Sequence, residues 1–92
     1  MKDRIHVKVL YESGCYPPES ASLQVIFKYD SRLVERVRRF GYWRRNQWTV
    51  PRRDAREFGQ ELMRWERDGL AWVHADGPSR KLLGDAAFND DV

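Results

Sequence analysis

Catalysis and metal binding draw on few residue types, and this sequence spaces them poorly for either. It holds one cysteine, Cys15, and two histidines, His6 and His74. Cys15 stands beside Pro17 and Pro18, where nothing nearby lowers a thiol pKa and makes a nucleophile of it. The histidines lie far apart in the chain, each alone on a strand-like run, where a histidine is ordinarily a surface residue. No Cys/His set has metal-site spacing. The glycines at 41, 59, 69, 77 and 84 are scattered and do not form a phosphate-cradling loop. Most carboxylates have an arginine within four residues, which reads as solvated, ion-paired faces. The expectation is a protein that is not an enzyme and uses no cofactor or metal.

Arginines interleaved with aromatic residues do recur usefully. Lys28, Tyr29, Arg32, Arg36, Arg39, Tyr42, Trp43, Arg44, Arg45, Trp48, Arg52, Arg53 and Arg56 fall within one short stretch. Guanidinium groups pair with phosphate and displace its condensed counterions. Unpaired bases also need an exposed ring to stack on. Thirteen of the seventeen basic residues are arginine, and twelve of the seventeen lie between Lys28 and Arg67 against six acidic ones. The net charge is +3, and the segment from Asp68 onward is acidic. The opposing reading of the arginines is an ordinary solvated face. For Trp43 and Trp48 it is a pair that meets across a hairpin and plugs the core.

Length and composition bound the rest. Ninety-two residues make one domain. The sequence is too apolar and aromatic to be disordered. A single cysteine fits a reducing, cytoplasmic compartment. No apolar run approaches the roughly 20 residues of a membrane span, and the start of the chain alternates polar with apolar residues, unlike a signal peptide.

Residues 5–11 alternate with period two and predict a strand, as do residues 23–29. Between them Gly14, Pro17 and Pro18 mark a loop. Asp30 or Ser31 can cap a helix carrying Leu33, Val34, Val37 and Phe40, and Gly41 is placed to end it in a left-handed conformation. Residues 42–50 read as a Trp hairpin turning at Arg44-Arg45-Asn46. Asp54 with Glu57 resembles a capping box opening a helix with Phe58, Leu62 and Trp65 on one face. Gly69 ends it, and residues 70–75 read as a last edge strand. One helical turn at 79–83 and an acidic, flexible tail at 85–92, with Phe88 free to dock, complete the chain.

The stretch Val25 to Leu62 resembles the HARP domain, the small module that precedes the motor in annealing helicases of the SNF2 class. The resemblance rests on Phe27-Lys28-Tyr29, on Leu33-Val34 and Val37-Arg38, and on Trp43, the turn 44–47, and Trp48-Thr49-Val50-Pro51. It implies binding to DNA with single-strand or fork character, with Tyr29, Trp43, Arg44, Arg45 and Trp48 as working positions. The sequence departs from such helicases in having no motor and no Walker motif.

Residues 1–84 are therefore expected to form one α+β domain: an antiparallel sheet of four or five strands with two helices packed on one face. The expected function is a nucleic-acid-binding module, DNA rather than RNA. Arg32, Arg36, Arg44, Arg45, Arg52, Arg53 and Arg56 would contact phosphates, and Tyr29, Tyr42, Trp43 and Trp48 would supply stacking rings. The alternative is a phage-type inhibitor or adaptor that docks on a nucleic-acid-handling complex such as a CRISPR effector. Its arginines and aromatics would then be interface anchors. An exposed strand edge at 4–11 or 70–75 would let two chains pair into a dimer.

Overall fold

The computed structural model describes residues 4–12 and 21–84. Cys15, most of the Pro-containing loop, and the acidic segment 85–92 with Phe88 lie outside the described residues.

The elements run β1 (Ile5–Glu12), β2 (Ser22–Phe27), α1 (Ser31–Val37), β3 (Tyr42–Arg44), β4 (Gln47–Pro51), a 3-10 turn (Arg52–Asp54), α2 (Ala55–Arg67), β5 (Ala71–Ala75) and α3 (Gly77–Leu83). The strands form one five-stranded sheet in the order β3-β4-β2-β1-β5. The fold is α+β, with its helices on one face of the sheet. β1 with β2, β2 with β4 and β3 with β4 are antiparallel, while β5 runs parallel to β1. The sheet is thus mixed, where the sequence predicts antiparallel pairing throughout. The cause is α2, which carries the chain back along the sheet before β5 begins; a crossover of that kind delivers a parallel strand. α3 is likewise longer than the single expected turn. The Asp76 carboxylate accepts from the Ser79 N–H at 2.8 Å, and Pro78 fits its first turn.

Register decides which side chains are buried. Val7 and Val9 pair with Phe27 and Val25 on β2 and with Val73 and Ala75 on β5. Leu23 and Val25 pair with Val50 and Trp48 on β4. This face is closed by Leu33 and Val37 of α1, by Ala55, Phe58, Leu62 and Trp65 of α2, and by Leu83 of α3, all in one cluster. Phe58 sits at its centre, with ring centroids 5.4 Å from Phe40 and 6.0 Å from Trp65. Burying two large rings completely accounts for much of the cohesion that so short a chain can gather.

Two expected caps differ in the structure. Asp54 makes no side-chain cap bond, because the 3-10 turn 52–54 leads directly into α2. Gly41 is not among the residues with positive φ, which in the glycines are Gly69 and Gly84. Its requirement is space: a Cβ at Gly41 would lie 2.1 Å from the Thr49 carbonyl oxygen. The glycine lets the chain leaving α1 pass directly against β4. Gly69, at φ 76°, does end α2 in the left-handed region.

The edges of the sheet also correct an expectation. β1 lies between β2 and β5, so residues 4–11 present no free edge for a second chain. β5 is an edge strand, but its Val73 N–H donates to the Glu66 carboxylate at 2.9 Å. The other edge, β3, is three residues long.

Gly41→Ala should lower unfolding stability by about 1–3 kcal/mol, because the backbone at Thr49 must shift to admit the methyl group. Gly77→Ala, whose Cβ would meet nothing within 4 Å, should show no loss. Urea titrations of the two variants beside the parent check this; equal midpoints for all three would refute the close-approach argument.

Candidate nucleic-acid interface

The β3–β4 hairpin brings the strongest sequence candidates together. Its loop is the two residues Arg45 and Asn46, at φ 52° and 62°. Positive φ at both central positions is a type I′ turn, whose twist matches that of the flanking strands. Asn tolerates that geometry readily; Arg45 occupies it without the same ease and stands exposed at the tip. Trp43 and Trp48 pair across the hairpin with centroids 5.3 Å apart in a T-shaped arrangement. Trp48 packs on the core, while Trp43 is 58% exposed. The pair thus splits its roles: one ring anchors and the other projects.

Beside the hairpin lies a cleft of about 110 Å³ lined by Phe27, Tyr29, Val34, Trp43, Asn46 and Trp48, among others. Tyr29 follows the end of β2 and is 78% exposed. The cleft therefore gathers three of the four predicted stacking residues. Tyr42 is not among them: the pleat that turns Trp43 toward the cleft turns Tyr42 and Arg44 to the opposite face of the sheet.

The arginines separate into three groups. Arg44 and Arg45 stand at the hairpin and make no ion pair among the described residues. Arg32 and Arg36 border a groove of about 350 Å³ between α1 and α2, together with Glu35, Arg39, Glu61 and Leu70. Both are engaged there. Arg32 makes two hydrogen bonds to Asp30, at 3.2 and 3.1 Å, and Arg36 bonds Glu61 at 3.2 Å. Glu61 is a buried carboxylate that also accepts from Arg64 at 3.0 Å and from the Trp65 indole N–H at 2.8 Å. Arg52, Arg53 and Arg56 follow the far end of β4, about 20 Å from the hairpin tip by strand length. Arg53 lies 3.8 Å from Asp54 with both groups exposed, a weak pair. Arg56 borders a shallow hollow with Arg80 and Lys81. The seven arginines named from sequence thus occupy three places on the surface.

The histidines depart most from expectation. His6 and His74 do not stand alone: the His6 Nδ1 and His74 Nε2 are 3.1 Å apart and the rings stack. β5 pairing with β1 brings them together, and sequence separation conceals it. The same pairing reveals residues missed on sequence grounds, Trp72 and the Arg4 guanidinium lying 4.1 Å over its ring. Alternation along residues 70–75 sets Trp72 and His74 on one face of the strand against Ala71 and Val73, and the buried alanines and valine leave Trp72 on the outer one. Among the described residues no group of three or more His, Cys, Asp or Glu is arranged to hold a metal, and no helix is long and apolar enough to cross a membrane.

No family model matches this chain, and neither a curated protein nor a solved structure matches it.

Asp30 secures the entry to α1 beside the cleft. Its carboxylate accepts from the N–H groups of Arg32 at 2.9 Å and Leu33 at 3.4 Å. The Arg32 side-chain hydrogen bond holds this carboxyl below its ordinary pKa against some desolvation, and the two N–H groups add to the effect. Asp30→Ala should cost about 1 kcal/mol at neutral pH, as for other helix caps. A depressed carboxylate stabilises the fold fully above its unfolded pKa of about 3.9 and loses that contribution as pH falls through its own lower value. The gap between parent and variant in urea melts should therefore close on acidification below about pH 4. A gap that is constant with pH would show the carboxylate charge to be irrelevant.

Proposed function

We propose that this protein is a non-enzymatic module that binds unpaired nucleic acid, DNA in preference to RNA, at the β3–β4 hairpin. The observation that carries the reading is the cleft shared by Tyr29 and Trp43, the two most exposed aromatic rings of the described residues. Arg45 stands at the hairpin tip next to Asn46 of the cleft wall, and Arg44 on the opposite face of the same strand; neither makes an ion pair among the described residues. Ring faces accept bases by stacking, worth about 1–3 kcal/mol per base, whatever the base. Unpaired guanidinium groups accept phosphates without first giving up an ion pair. The likeness of residues 25–62 to the HARP domain points to the same positions and to DNA with a single-stranded or forked character.

The reading assigns different weights to the predicted contacts. Arg45 acts from the hairpin tip, and Arg44 meets the nucleic-acid strand where it rounds the hairpin edge onto the opposite face. Arg32 and Arg36 hold α1 in place through Asp30 and Glu61 and meet phosphate only as a secondary border. Arg52, Arg53 and Arg56 serve a longer ligand that runs past the far end of β4. Trp48 holds the Trp43 ring in position, and Tyr42 lies around the edge of the hairpin.

The test is fluorescence anisotropy with a labelled single strand, a fork and a duplex at low and moderate salt. The single strand and fork should bind more tightly than the duplex, with affinity falling as salt rises. Trp43→Ala should weaken binding about tenfold without changing the melting temperature by more than a few degrees, since the ring is largely exposed. Arg44→Gln and Arg45→Gln should each flatten the salt dependence by roughly one phosphate contact. Undetectable or salt-independent binding, with a protein partner retained from host lysate after nuclease treatment, would overturn the reading in favour of an inhibitor or adaptor.

A further inference from the structure

The sheet face opposite the helices carries side chains that the hairpin site leaves unused. In register, Trp72 stands opposite His6, His74 opposite Lys8, and Lys8 opposite Ile26. At the far edge of the same face stand Tyr42 and Arg44, opposite Thr49 and Gln47. Trp72, Ile26 and Tyr42 are 44%, 40% and 47% exposed. Single exposed apolar residues are ordinary, but an indole, a phenol, an isoleucine and a stacked imidazole pair on one face of one small sheet are not.

Cations outnumber carboxylates among the described residues of this face. Arg4, Lys8 and Arg44 are cationic. Asp76, just after β5, remains an ionised carboxylate, accepting from the N–H groups of Tyr11 at 3.0 Å and Ser79 at 2.8 Å. Glu12, at one end of β1, is the acidic group of the described strands on this side and borders the hollow beside Arg44 and Arg45. Near its middle Thr49 donates to Gln24 at 3.2 Å, and both side chains are buried among their neighbours. The hollow beside Arg44 holds only about 60 Å³, too little to seat the large anchor side chain that a protein partner would insert. Flat rings, spaced cations and only a small hollow match a polymer of planar bases and phosphates better than a protein surface.

We propose that this open sheet face is a second stacking platform for single-stranded nucleic acid. It runs from Trp72 and the His6–His74 pair, over Lys8 and Ile26, to Tyr42 and Arg44, a span of four strand spacings or about 19 Å. The Arg4 guanidinium already forms a layer on the Trp72 indole, and a base adds as the next layer, since guanidinium planes accept stacked bases. β3 joins this platform to the hairpin site, because adjacent residues of that strand present Trp43 to one and Arg44 to the other. The proposal rests on the nucleic-acid reading above and adds a second contact surface to it.

The deciding experiment follows the four tryptophan indole N–H signals of the isotope-labelled full chain by NMR as a short oligothymidine is added, with each signal assigned by a single substitution. The indoles of Trp72 and Trp43 should both move, and that of the buried Trp65 should not. Trp72→Ala should weaken oligothymidine binding about tenfold, and Lys8→Gln should lower the salt slope by roughly one contact. A response at Trp43 with none at Trp72 overturns the second platform and leaves the hairpin site standing. A response at Trp72 alone supports the platform and removes the hairpin site. Silence at both, at saturating oligothymidine, overturns the two together. Self-association that Trp72→Ala abolishes, with no response to oligothymidine, would assign the face to a second copy of the chain and overturn the proposal.

Discussion

Val7, Val9, Leu23, Val25, Val50 and Val73 project from the same side of the sheet, and each is closed to water. Their shared face is the constraint from which the remaining geometry follows. A slip of one residue in any strand would bring His6, Lys8 or Gln24 into the core and expel a valine or leucine. Register is therefore fixed by burial, and with it the direction of every neighbouring side chain. Trp43 and Arg44 point to opposite faces for this reason, although they adjoin in sequence. All three helices contribute to the covered side, and among the described residues the opposite side keeps Ile26, Tyr42 and Trp72 exposed.

The same geometry sorts the cations. Glu61 is the clearest case: a carboxylate enclosed between α1 and α2 would be costly alone, and Arg36, Arg64 and the Trp65 indole compensate it. Removing one partner from such a cluster leaves the others partly unsatisfied, so these arginines belong to the architecture before they belong to any surface. Asp30 treats Arg32 similarly. A basic composition therefore overstates the basic surface. The arginines left without carboxylates are concentrated in turns and edges, where no second element is close enough to supply one.

Much of this was legible in the sequence because it is local. Alternation marks β1, β2 and β5; helical spacing marks the buried faces of α1 and α2; the cap at Asp30, the stop at Gly69 and the Trp hairpin follow from two or three adjacent residues. What could not be read depends on contacts between distant segments. The parallel placement of β5 beside β1 is a matter of topology, and it alone brings His6 to His74 and Arg4 to Trp72. Gly41 looks like a helix stop by position, yet its role comes from Thr49 on another strand. Asp54 has the right neighbours for a capping box, but Pro51 and the 3-10 turn set a different entry to α2. In the candidate site, local reasoning named Tyr29, Trp43 and Trp48, which line one cleft, and grouped with them arginines that the pleat and the fold carry to other faces.

Glu66 bears on a separate matter. By accepting from the Val73 N–H, its carboxylate occupies a backbone donor that an added strand would need, and it sets a negative charge where that strand would lie. The opposite margin, β3, offers only three residues and twists away through a type I′ turn. A strand added by a second copy at β5 would first have to displace the Glu66 carboxylate from the Val73 N–H.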